Sequence, residues 1–186
     1  PPRSTQCISS AASAVYKRQV RIGATLEPAE IADADYVATL SGEHSSLTPE
    51  NALKWYGVQN VRGTFDFTGA DAVVEFAEAN DMEVRGHALV WAQDQFTPGW
   101  VTAIDDPDEL REVVRTHITT VMERYEGRIH RWDVVNEPLQ GLLDGPGVTM
   151  GDGVFQRVLG EGWLAEIFAI AHEVDPDAEL WFCLLY

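Results

Sequence analysis

The residues able to do chemistry fall in short stretches. Asn136-Glu137-Pro138 closes the apolar run Trp132-Asp133-Val134-Val135. A carboxyl group beside such a run suits a general acid, because partial desolvation favours its protonated form. Asn136 next to it can hydrogen-bond a substrate hydroxyl, and Pro138 fixes the chain direction. The plainer alternative is that Glu137 caps a turn or pairs with a cation. Glu50, Asn51 and Lys54 form a second group. Lys54 is one of two lysines, the other being Lys17, against eleven arginines. It can donate to sugar hydroxyls, or form an exposed i,i+4 ion pair with Glu50 that stabilises little. His87, Trp91 and Gln93 form a third. His87 lies in an apolar strand, where a histidine is as readily a core residue, and no second histidine stands near it at metal-ligand spacing. Trp55, Trp91 and Trp100 offer faces for sugar rings, or else they are core.

These groups must be positioned by the elements around them. Arg21 to Leu26 reads as a short buried strand. Pro28 to Leu40 has helical spacing with proline near its start. Ser45 to Leu47 leads into Thr48-Pro49-Glu50-Asn51. Gly69 to Asn80 is a helix with Ala72, Val73, Phe76 and Ala77 at core spacing. Met82 to Trp91 is a second clear strand, and its Gly86 predicts a close backbone approach. Asp108 to Tyr125 carries the stripe Leu110, Val113, Val114, His117, Ile118, Val121 and Met122, with Asp105, Asp106 and Asp108 at its N-terminus. Ile129 to Val135 is a strand, Trp163 to Val174 a helix stopped near Asp175-Pro176, and Glu179 to Leu185 a final strand. Alternating strands and helices predict a parallel α/β sheet. Near-continuous apolar strands predict burial on both faces. Glu50-Asn51-Lys54, His87-Trp91-Gln93 and Asn136-Glu137 all follow strands, at the end of the sheet where such folds build active sites. A doubly wound sheet and part of a (β/α)8 barrel both fit. No Gly-x-Gly-x-x-Gly follows the first strand and no Walker phosphate loop is present, which weighs against a nucleotide-binding version.

Composition sets further bounds. Hydrophobic residues make up 45% of the 186 positions, enough for one sizeable core. Thirteen basic residues face thirty acidic ones, a formal charge of −17, which disfavours nucleic acid and anionic membranes as partners. No apolar run is long enough to span a membrane. The chain starts with Pro1 and shows no signal peptide, so processing or a fragment is expected. Residues 1–13 read as a loose terminus. Cys7 and Cys183 have neither metal spacing nor a redox motif, and they read as separate thiols.

The same residues carry a family pattern. Trp132-Asp133-Val134-Val135-Asn136-Glu137-Pro138 resembles the acid/base strand of glycoside hydrolase family 10, the barrel endo-β-1,4-xylanases. Thr48-Pro49-Glu50-Asn51-Ala52-Leu53-Lys54-Trp55 resembles its second-strand motif, and Gly63-Thr64-Phe65-Asp66-Phe67 with Ala70-Asp71 the segment after it. Gly86-His87-Ala88-Leu89-Val90-Trp91, with Pro98 and Trp100, resembles its third strand. Asp175-Pro176-Asp177-Ala178-Glu179-Leu180 resembles the approach to its fifth. The matches run in order from about Ile22 to Leu180.

The resemblance implies a (β/α)8 TIM barrel, of which residues 14–186 hold about the first five β/α units. It implies retaining hydrolysis of β-1,4-xylosidic bonds, with xylan or xylo-oligosaccharides as partners and secretion as the setting. Glu137 is then the acid/base. Asn136 contacts the nucleophile or the 2-hydroxyl of the attacked sugar. His87 and Trp91 line the subsite at the cleaved bond, and Glu50, Asn51 and Lys54 bind the neighbouring xylose. No metal or organic cofactor is implied. The sequence also departs from the family. Such a barrel takes roughly 250 residues, and the nucleophile glutamate comes from a later strand, so no residue here is assigned to it. Leu184-Leu185-Tyr186 stands where the family shows Asn-Asp-Tyr, and Ala92 follows Trp91 where a histidine is common. These departures predict a polypeptide that is inactive and marginally stable alone, or covered by association with another chain. A non-catalytic xylan-binding remnant is the alternative; a related β-glycosidase and a doubly wound ligand-binding protein are further ones.

Overall fold

The computed structural model describes residues 21–140 and 148–184. Cys7, the 1–13 segment, Lys17, Leu185 and Tyr186 lie outside these residues.

Five parallel strands stand side by side in chain order: β1 Gly23–Leu26, β2 Ser46–Pro49, β3 Glu83–Trp91, β4 Arg131–Asn136 and β7 Glu179–Cys183. This order decides between the two architectures. A doubly wound sheet reverses direction at a switch point, whereas sequential neighbours with helical crossovers make a barrel wall. Between β4 and β7 lies a small antiparallel ladder, β5 Leu139–Gln140 with β6 Thr149–Met150.

The helices form where the local chemistry asks for them. The segment predicted as one helix from Pro28 to Leu40 is two, a 3₁₀ turn Pro28–Ala32 and α1 Ala34–Glu43. Asp33 breaks them because it takes an extended backbone and its carboxylate accepts from the Asp35 and Tyr36 amides, capping α1. A short α2 spans Trp55–Val58, and α3 spans Thr68–Ala79. After a 3₁₀ turn at Asp94–Phe96 and a short α4 at Gly99–Thr102 comes α5, Pro107–Arg124. Its N-cap is Asp106, which accepts from the Glu109 amide, with Pro107 in the first turn. Leu110, Val114, His117, Ile118, Val121 and Met122 are its buried stripe. Then follow α6 Val154–Leu159 and α7 Trp163–Val174. Neither the short helices nor the β5–β6 ladder is anticipated by the sequence pattern, because each has too few residues to show a period.

The strands are not apolar on both faces, as the sequence suggested. Register partners share a face. Thr25 and Thr48 pair, as do Ser46 and Glu83, Arg85 and Arg131, Arg131 and Glu179, and His87 and Asp133. One face is therefore polar. The alternate residues Leu26, Leu47, Val84, Trp132 and Val134 are buried in the hydrophobic core beneath the helices. Gly86 sits on that apolar face, and the predicted close approach is real: a Cβ there would lie 2.2 Å from the Trp132 ring. The polar face is held by ion pairs, and on the edge strand β7 Trp181 and Phe182 are each 50% exposed.

Candidate active site

Glu137 is the first residue after β4 and has φ +51°, a left-handed backbone that a non-glycine residue adopts at some cost. Hydrogen bonds on both sides hold it there. The Glu137 amide donates to the Cys183 carbonyl on β7 at 2.7 Å, and the Ala92 amide donates to the Asn136 carbonyl at 3.0 Å. The Glu137 carboxylate is met by two uncharged donors. Trp91 Nε1 and Gln93 Nε2 both donate to Oε2, at 2.9 and 2.8 Å. Both donors fall on the same oxygen. The turn bearing Gln93 is itself tied down: Asp94 accepts from the Val154 amide at 2.6 Å and from Arg157 at 2.7 Å.

Trp91 does not serve as a sugar platform. Phe96 stacks on its ring at 3.8 Å and 19°, and the Lys54 ammonium lies over the ring at 4.5 Å. Two groups that close must occupy opposite faces, so Trp91 works through its N–H edge. Trp55 is also core: it is buried and stacks on His117 at 3.9 Å and 5°. Trp100 packs edge-on against Trp55 and against the core.

Lys54 makes no direct ion pair with Glu50. Its ammonium donates to Asn51 Oδ1 at 3.1 Å. Burial lowers its pKa, partly countered by the charges of Glu50, Glu27 and Glu137. Asn51 is the centre of this group. Its Nδ2 donates to Glu27, and its Oδ1 also accepts from the Tyr56 hydroxyl at 2.6 Å. Glu50 is exposed and acts on this cluster through its charge. Asn136 is 4% exposed, beside Glu137.

His87 belongs to a separate cluster. Its Nδ1 lies 2.9 Å from Asp133 Oδ2, and Arg85 grips the same carboxylate with Nε at 2.9 Å and a terminal nitrogen at 2.5 Å. Burial alone raises the Asp133 carboxyl, but the bonds from His87 and Arg85 outweigh it and hold it below the usual range. An ionised Asp133 only accepts, so His87 donates from Nδ1. Donor atoms of His87, Asp133 and Cys183 lie within 4.8 Å of one another, close enough to suggest a cation site. Both Asp133 oxygens are already taken by the Arg85 guanidinium, a fixed positive charge where a metal ion would have to sit. The Cys183 thiol is pushed up by burial first and then by Asp133, which disfavours the thiolate a metal needs.

The structure thus brings Lys54, Asn51, Trp91 and Glu137 into one chain of contacts, with Asn136 adjoining Glu137 in sequence, Glu50 acting on Lys54 by charge, and His87 on the neighbouring cluster. The sequence reading left Glu27, Tyr56 and Arg85 unassigned and gave Gln93 no partner. For Glu27 a signal existed, since it directly follows the first strand. For Arg85 and Gln93 the partners, Asp133 and Glu137, lie on or just after a neighbouring strand far away in sequence. No helix among the described residues is long and apolar enough to cross a membrane.

Comparison with known proteins points to one family. Residues 11–183 match the sequence profile described as glycosyl hydrolase family 10. An endo-1,4-beta-xylanase 3 from Hypocrea jecorina is 40% identical over 144 residues, covering 77% of this chain and 40% of the relative. A beta-1,4-xylanase from Dictyoglomus thermophilum is 40% identical over 168 residues, 90% of this chain and 46% of the relative. Among solved structures, a xylanase from Paenibacillus barcinonensis superimposes with a TM-score of 0.81 at 32% identity, covering 92% of this chain and 51% of that one. The endo-1,4-beta-xylanase from Caldicellulosiruptor owensensis gives 0.82 at 29%, covering 92% and 52%. The chain spans about half the length of these relatives or less.

Proposed function

This chain belongs to glycosyl hydrolase family 10, and from that membership we propose that it is the acid/base-bearing part of a secreted endo-1,4-β-xylanase. Residues 14–186 are its share of the catalytic barrel. The observation that carries the reading is the state of Glu137: a carboxyl group at a strand's C-terminal end, held on one oxygen by Trp91 and Gln93 and free on the other. In this reading Glu137 protonates the glycosidic oxygen through Oε1 as the bond to the anomeric carbon breaks. A second carboxylate about 5–5.5 Å away attacks that carbon and forms the glycosyl-enzyme. The resemblance places that nucleophile on a later strand, outside this chain. Glu137, now ionised, then takes a proton from the water that releases the sugar. Asn51 and Lys54 present N–H donors to the hydroxyls of the adjoining xylose, Glu50 adds charge, and Asn136 and His87 line the cleavage subsite.

The exposed Trp181 and Phe182 on β7 support a further strand or a second chain covering that edge. A second reading is a xylan-binding remnant without turnover, favoured by the half-length match. Incubation with xylotetraose of the protein extended through the later strands, followed by reducing-end release and by calorimetric titration, separates the two. Turnover lost in Glu137→Gln supports the enzyme, and binding without turnover supports the remnant. Neither binding nor turnover would discard both.

A further inference from the structure

We propose that Glu27, at the end of β1, is a positioning residue: through Asn51 it sets the orientation of the sugar-binding donors and of the contacts leading to Glu137. This rests on the xylan-degrading reading of the same site. A primary amide has two N–H donors and two acceptor positions. In Asn51, one Nδ2 hydrogen is given to Glu27, and Oδ1 receives Lys54 at 3.1 Å and the Tyr56 hydroxyl at 2.6 Å. Three of the four positions are taken, and the remaining Nδ2–H is the only one left for a ligand. Asn51 therefore acts as a hub with a single free donor, and that donor selects a hydroxyl oxygen.

Glu27 decides which way this amide faces. A carboxylate only accepts, and an ammonium only donates. Rotating the amide by half a turn would set its oxygen against the Glu27 carboxylate and its NH₂ against the Lys54 ammonium, so both contacts become repulsive. Glu27 is itself fixed, because it follows the buried Leu26 and its amide donates to Glu30 at 2.8 Å. Tyr56 stays a donor: burial, then the charges of Glu27 and Glu50, raise its phenol pKa. From Asn51 the contacts continue through the Lys54 ammonium, 4.5 Å over the Trp91 ring, to the Trp91 N–H on Glu137 at 2.9 Å. Every step from β1 to the acid/base is thus a direct contact.

The test uses the full chain with Glu27→Ala and Glu27→Gln. Xylotriose affinity is measured by titration calorimetry, and the Asn51 side-chain amide is followed by ¹⁵N NMR without ligand. Glutamine keeps a carbonyl acceptor for Asn51, and alanine does not. We expect Glu27→Ala to bind xylotriose about tenfold more weakly, with shifted Asn51 amide signals. Glu27→Gln should restore both to near the original values at an unchanged melting temperature. Unchanged affinity and unchanged Asn51 signals in Glu27→Ala overturn the proposal. So does a folded Glu27→Gln that is as impaired as the alanine variant, since charge rather than positioning would then be at work. If the unaltered chain ignores xylotriose, the xylan reading fails, and the ligand-free NMR comparison still decides whether Glu27 orients Asn51.

Discussion

At the N-terminal ends of the strands, Glu83 is shared by Arg21 and Arg131, and Arg131 reaches on to Glu179 at 2.8 Å. At the C-terminal ends, Glu137 is held by the indole of Trp91 and the amide of Gln93. Both regions place carboxylates on strands of one sheet. In the first, guanidinium partners face the carboxylates: the Arg131 hydrogen bond leads in holding the Glu179 carboxyl below the usual range, whereas burial leads in raising that of Glu83. In the second, the donors are an uncharged indole and an uncharged amide, so the carboxyl group is oriented by hydrogen bonds rather than by a paired cation. Paired charge ties one end of the sheet together, whereas neutral donors orient a single carboxyl group at the other. Asp133 stands between the two: it is on β4, only 1% exposed, and is matched to Arg85 and His87.

The sharpest way to break this comparison is at Glu137. Glu137→Gln in the active enzyme should lower xylan hydrolysis by about 10²–10⁴-fold while leaving the melting temperature nearly unchanged. Reducing-end assays and a thermal melt report the two separately. A variant that keeps its rate would show that the carboxyl group is not the acid.

Asp133→Asn should do the reverse and damage stability. It removes the counter-charge of Arg85 and replaces one of the two accepting oxygens with an NH₂ donor, and breaking a buried pair costs about 3–5 kcal/mol. Arg85 is 37% exposed and can turn toward water, so the low end, about 3 kcal/mol, is expected in urea unfolding.

The third effect is one of pH. His117 is fully buried, and burial pushes its pKa down to about 3 against a hydrogen bond to Leu89 that raises it. Its ring nitrogens face Gln59 Oε1 at 3.1 Å and the Leu89 carbonyl at 3.0 Å. Two carbonyls favour the charged ring and burial the neutral one; burial is the larger influence. The folded pKa is below the unfolded value, so above pH 6.5 neither state is protonated and nothing is lost. As pH falls from 6.5 toward 3, the unfolded state takes up the proton first, and stability drops by about 1.4 kcal/mol per pH unit. Histidine NMR and urea melts at pH 7 and pH 5 check this; a charged His117 at pH 5 would reverse the ranking of the two influences.

The smallest effect belongs to the N-terminal ion pairs. Arg131→Met should cost under about 1 kcal/mol, less in high salt, because its partners are about half exposed. Xylan turnover should not move. A loss comparable to that of Asp133→Asn would mean that the two ends of the sheet are not distinct.

Much of the scaffold is legible without coordinates. The helix at Trp163–Val174 follows from its apolar spacing and the Asp175-Pro176 stop, and Pro107–Arg124 from its acidic start and apolar stripe. Gly86 is readable as a close approach because a glycine inside a strand needs a reason. Trp91 shows the limit. Its aromatic character suggested a stacking surface, but Phe96 and Lys54 cover the two faces, and only the fold brings Lys54 there. The polar face of the sheet is similar: the strands hold enough apolar residues to suggest two buried faces, and the register reveals that one face is built of ion pairs.

By itself the sequence determined the order of strand and helix units and the chemical kinds gathered at the strand ends, including the carboxyl group of Glu137. These are local properties, written in spacing and side-chain type. Tertiary structure decided which groups are partners: Glu27 for Asn51, Arg85 and His87 for Asp133, Trp91 and Gln93 for Glu137. Partnership depends on the parallel register that sets β3 against β4 and on where each strand's following turn lands, and both are fixed by packing across the whole sheet. That is why the carboxylates could be found in the sequence, while which of them are paired with cations and which is met by neutral donors emerged only from the fold.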